Sequence, residues 1–126
     1  MRTILPPIAM LVLLAGAAAW NARTIDEYTA QCISGIDDAI RFAAEEDWPA
    51  VRTALSASQT HWQNCSSYLR ITVTHSIVDA ADSMYCRALA FAETEELMEF
   101  QAETAGLRFQ LLRLAENERF RPENIF

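Results

Sequence analysis

At 126 residues, 52% of them hydrophobic and only three of them glycine, the chain suits one domain with its own core, not a disordered polymer or a glycine-rich β protein. All 17 acidic residues follow Trp20, against nine of the ten arginines, so the remainder of the chain carries a net −8. That charge argues against a phosphate-neutralising nucleic-acid face and against docking on anionic lipid, and the lack of any lysine removes Schiff-base and lysine-nucleophile chemistry.

The amino terminus comes first. From Thr3 to Ala22 there are 20 consecutive uncharged residues, about the length a helix needs to cross a bilayer. Two readings compete. In one, residues 1–22 are an uncleaved anchor with Trp20 at the interface and Arg2 holding the amino terminus in the cytoplasm. In the other, a short apolar core ends at Ala17-Ala18-Ala19, and cleavage after Ala19 releases the body. Both send the body, residues 23–117, across the membrane. Pro6 and Pro7 fall at the start of the span, where a helix tolerates them.

Beyond the span, Ile25, Thr29, Cys32, Ile36, Ala39 and Ala43 recur at intervals of three and four, one face of a helix. The pattern stops at Glu45-Glu46-Asp47. Asp47 is a good N-cap for a second helix, with Trp48 and Pro49 in its first turn and Val51, Leu55, Ser58, Trp62, Cys65 and Leu69 on its stripe. The β-branched run after Arg70 weakens that helix near Val73. Ser76 and Asp79 then form an S-x-x-D capping pattern for a third helix, with Ile77, Ala81, Met84, Ala88 and Phe91 facing inward. A fourth follows Thr94 with Leu97, Phe100, Thr104, Leu107, Leu111 and Leu114, and Pro122 is expected to stop it ahead of a tail at residues 118–126. The fold class expected is all-α: a membrane helix or signal segment, then an antiparallel four-helix bundle made of two hairpins.

Sliding the chain by 49 residues aligns "FAAEEDWPAVRTAL" from Phe42 with "FAETEELMEFQAET" from Phe91. The second hairpin either repeats the first or resembles it by chance. Two copies are too few for a solenoid, which favours a closed bundle.

"DWPAV" from Asp47, Trp62 further along the same helix, "HSIVD" from His75 running on to Arg87 and Leu89, and "ENIF" from Glu123 occur in an order and spacing that resemble the bacterial domain of unknown function 4363 family. The resemblance spans essentially the whole chain. It implies a single amino-terminal membrane segment followed by a short all-helical body, and it implies no activity. The alanine-rich end of the span and the lack of lysine depart from that family's usual pattern.

Candidate sites are few. His75, Asp79 and Asp82 share one helix face and could hold a divalent metal, but a cap and corner reading, with Asp79 and Asp82 in the first turns near the positive helix end and His75 at the entry corner, accounts for them as well. His61 and Cys65 make an i, i+4 pair, half of a metal site at most. Trp48 and Trp62 could wall a ligand groove; large aromatics at helical spacing are more often core. Cys32, Cys65 and Cys86 contain no C-x-x-C and read as buried apolar residues, with a disulfide between two of them as the alternative. The acidic run from Glu93 to Glu103 reads as a solvated face, and the apolar end of the tail as a segment folded back on the bundle. No G-x-S-x-G, H-E-x-x-H or phosphate loop is present. The expectation is a non-enzymatic, membrane-tethered extracytoplasmic bundle without a cofactor, accessory to an envelope protein. The alternative is a secreted ligand or metal binder.

Overall fold

The computed structural model describes the backbone of residues 4–72 and 75–125, and the side chains among these except at 69–72, 75 and 117–125. Four helices account for nearly all of it: α1 Leu5–Ala44, α2 Trp48–Thr72, α3 His75–Glu93 and α4 Leu97–Ile125. Each helix packs against its neighbours in the sequence, α4 returns to α1, and across the ring side chains meet in the core, Trp48 of α2 against Phe100 of α4. The result is an up-down-up-down ring around a single core.

The apolar amino-terminal segment and the first bundle helix turn out to be one helix. Apart from Gly35, no glycine or proline interrupts the chain between Ala17 and Trp48, so α1 runs for 40 residues, about 60 Å at 1.5 Å per residue. Its apolar start is exposed on every side, with Ile8, Leu11, Val12, Leu13 and Leu14 between 49% and 74% accessible. Its second half buries Ile25, Thr29, Cys32, Ile36, Ala39 and Ala43, the face its periodicity predicts.

The α2 stripe from Val51 to Cys65 is also buried as expected, while the Leu69 side chain lies outside the described residues. In α4, Phe100, Thr104, Leu107, Leu111 and Leu114 are buried and Leu97 is half-buried. Buried Thr29 and Thr104 satisfy their hydroxyls by donating to the carbonyls four residues back, at 3.0 and 2.8 Å.

Three expectations need correction. In α3 the inward residues are Val78, Ala81, Tyr85, Ala88 and Ala92, while Ile77, Met84 and Phe91 flank the core half-buried. The face is turned by one residue because Tyr85 finds a polar partner inside and Met84 needs none. Second, α3 is already helical at His75, so Ser76 sits within the first turn and is not its N-cap. Third, Pro122 does not stop α4, which continues to Ile125. A proline there removes the hydrogen bond to the carbonyl four residues earlier and crowds that carbonyl, a cost that falls on the last turn alone.

Both hairpins close in the same way. At the first turn Glu46 N–H donates to Ala43 O and Asp47 N–H to Phe42 O, each at 3.0 Å; at the second, Glu95 N–H donates to Ala92 O at 3.3 Å and Glu96 N–H to Phe91 O at 2.9 Å. These are paired Schellman bonds, and the residue each places in the left-handed region is a glutamate, Glu46 and Glu95, both with φ 57°. The two sites are 49 residues apart. The same shift carries buried Cys32, Ile36, Leu55, Ser58 and Trp62 onto buried Ala81, Tyr85, Thr104, Leu107 and Leu111. The repeat seen faintly in the sequence is thus a repeat of turn geometry and burial register.

Candidate functional site

Where α1, α2 and α3 converge, the core is polar. Gly35 on α1 lets α2 approach so closely that a Cβ added there would lie 2.8 Å from Ser58 Cβ. Ser58 Oγ donates to Cys32 O at 2.8 Å, and since that uses its only proton, Tyr85 OH is the donor in the 2.8 Å contact with Ser58 Oγ. Cys32 Sγ in turn lies 4.0 Å from Ser58 O. Burial pushes the Cys32 thiol up to about 12 and raises the Tyr85 phenol and the Cys65 thiol above their ordinary values. All three are held neutral at physiological pH, so the cluster offers neither a thiolate nucleophile nor a phenolate base. Among the described residues, no buried side-chain nitrogen or oxygen lacks a partner.

Trp62 extends this layer toward α3. Its ring tilts against Tyr85 at 6.3 Å, and its Nε1–H donates to Asp82 Oδ1 at 2.6 Å. The indole is 1% exposed, so a core side chain uses its polar edge to hold the rim carboxylate of a neighbouring helix. The Asp82 partner is visible only in three dimensions; sequence spacing had placed Asp82 with His75 and Asp79. The first turn of α3 contains no acid, so the helix-end charge effect expected for Asp79 and Asp82 falls off before reaching them. Asp79 is exposed, and the His75 side chain lies outside the described residues. Among the described residues no three His, Cys, Asp or Glu side chains converge as a metal site requires.

At the end nearest the apolar segment, Tyr28 meets His61 and Tyr68 edge-on at 6.2 and 6.0 Å, and Tyr68 OH donates to Asn21 Oδ1. His61 Nε2 lies 3.9 Å from Cys65 Sγ, so the i, i+4 pair is formed and half-buried against this aromatic group. At the opposite end Trp48, 7% exposed, packs edge-on against Phe100 at 5.8 Å, and Asp47 Oδ1 accepts from Ala50 N–H at 3.3 Å as an N-cap. The three cysteines are free; Cys32 and Cys65 are buried, whereas Cys86 is exposed, contrary to its expected burial. Its position on α3 faces away from the core stripe. Within the acidic run Glu103 pairs with Arg87 at 2.7 Å and the rest is exposed.

A bundle stapled by internal polar bonds, with one helix extended by an apolar segment long enough to cross a membrane, defines a small all-α protein in which every buried side-chain nitrogen and oxygen among the described residues has a partner. A groove between α1 and α4 encloses about 160 Å³ beside Asp26, Ile33 and Leu112. The chain belongs to the family designated domain of unknown function DUF4363, whose family model matches residues 19–125. No curated protein and no solved structure matches it.

Proposed function

We propose that this protein is a non-enzymatic, membrane-tethered bundle on the outer face of the cytoplasmic membrane, an accessory or scaffold for another envelope protein. The observation that carries the reading is the continuity of α1: residues 5–17 are apolar and exposed on all faces, and the same helix then becomes a stave of the bundle. A helix apolar all round requires an apolar surround, and none is supplied by the other described residues. Asn21 is held by Tyr68 at the point where exposure gives way to packing. A tether joined to its body without a hinge transmits orientation, which suits a part that positions a neighbour. Arg2 ahead of the span and a net −8 behind Trp20 favour the body outside.

Fractionation with intact-mass measurement tests this. The expected result is a full-length chain that stays in membranes after carbonate washing, loses its body to protease added outside spheroplasts, and crosslinks in cells to a specific membrane protein. A mature chain beginning at Trp20 in the culture medium would overturn the tether and leave a secreted binder of ligand or metal in its place.

A further inference from the structure

Helix α4 carries two apolar stripes. One enters the core. The other, Met98, Ala102, Ala105, Phe109 and Leu112, lies about 160° around the helix from it at 100° per residue and is exposed, with Met98 79%, Phe109 60% and Leu112 37% accessible. Its spacing of four, three, four and three is the seam of a two-stranded coiled coil. The fold itself does not require this stripe. In α2, which holds the same place in the first hairpin, the residues 49 positions earlier are Pro49, Thr53, Ser56, Thr60 and Gln63, with no large apolar side chain among them.

We propose that the occupant of this stripe is a second copy of the chain, docked with its α4 antiparallel to the first. Size and charge both select that arrangement. After Met98 the stripe passes from small residues to large ones, so antiparallel layers set Ala102 against Leu112 of the second copy and Ala105 against Phe109 of the second copy. A parallel pair would stack alanine on alanine and phenylalanine on phenylalanine, leaving voids beside the large layer. Along one flank Glu99, Gly106 and Arg113 recur every seven residues. Antiparallel docking about Gly106 brings each Glu99 opposite Arg113 of the other copy, twice by symmetry, whereas parallel docking brings Arg108 beside Arg113. On the other flank the two Arg108 side chains approach each other, but each is already paired with its own Asp37 at 2.8 Å.

The seam is about 22 Å long, a single helix face below the roughly 800 Å² per partner of a standard interface, so pairing is concentration-dependent. It also sends the two α1 segments to opposite ends of the pair. If α1 is the tether proposed above, the copies that pair are held in facing bilayers; the seam itself does not depend on that reading.

The test uses the full chain in detergent, with exposed Cys86 changed to serine. Ala102→Cys and Leu112→Cys chains are prepared separately, then mixed and oxidised. The expected result is a crosslinked dimer in the mixture and not with either chain alone. Glu99→Arg and Arg113→Glu should each reduce crosslinking at least tenfold, and the double charge swap should restore it, with circular dichroism showing every variant folded. Self-crosslinking of the Ala102→Cys chain, failure of the double swap to restore dimer, or a monomer at all concentrations would overturn the proposal.

Discussion

Gly35 and Gly106 both sit inside helices, and the same substitution should act on them in opposite directions. Replacing a mid-helix glycine with alanine ordinarily stabilises by about 0.5–1 kcal/mol, because glycine has more backbone freedom to lose. At Gly106 nothing lies within 4 Å of an added Cβ, so Gly106→Ala should show that gain. At Gly35 the new Cβ would meet Ser58 Cβ at 2.8 Å and the α2 backbone at Ser58 Cα at 3.4 Å, neither being the free end of a flexible side chain. The helices must separate, which costs about 1–3 kcal/mol as overpacking. Ser58 also holds the bonds to Cys32 O and Tyr85 OH, and weakening them leaves buried polar groups short of partners for about 1–3 kcal/mol more. Set against the propensity gain, Gly35→Ala should destabilise by about 1–5 kcal/mol, a fall in Tm of several degrees or more for a body of this size. Urea unfolding followed by far-UV circular dichroism, on both variants under one set of conditions, measures the difference. A Gly35→Ala protein as stable as Gly106→Ala would refute the close approach of α1 and α2.

Glu46→Gly and Glu95→Gly should each raise stability by about 1 kcal/mol, since the left-handed backbone at both turns penalises a side chain; additive gains in the same urea experiment would show that the two turns are independent. Trp62→Phe should cost more than Asp82→Asn, because the first leaves a partly buried carboxylate without its indole donor and the second keeps an acceptor in place; about 1.5–3 kcal/mol is expected for the lost bond, read from unfolding midpoints. Thiol titration of the native protein with a maleimide should label Cys86 alone, and all three cysteines after denaturation. Cys32 has a folded pKa raised from 9.0 to about 12, so its contribution to stability is intact below pH 9 and lost as pH climbs from 9 through 12, with Tyr85 acting in the same direction. Thermal midpoints measured across that window should fall steadily, and less so in Cys32→Ala.

Much of the fold was legible because a helix writes its buried face into the chain at intervals of three and four. Ile25 to Ala43, Val51 to Cys65 and Phe100 to Leu114 could be read that way before any coordinate was known. In α3 the signal was ambiguous: Ile77-Met84 and Val78-Tyr85 lie on adjacent faces of similar hydropathy, and only the Ser58 hydroxyl waiting on α2 decides that Tyr85 points inward. The continuity of α1 was present in the absence of any glycine or proline between Ala17 and Ser34, yet a change in composition at Asn21 looks like a boundary when read along one dimension. Asp47 could be assigned as a cap because capping is local. The Asp82 bond to Trp62, the contact of Gly35 with Ser58 and the exposure of Cys86 could not, since each depends on how one helix is rotated against another. Length, periodicity and turn chemistry are properties of a segment and are carried by its own residues. Partners across helices are set by the joint packing of four segments around one core, and that is what the tertiary structure alone decided.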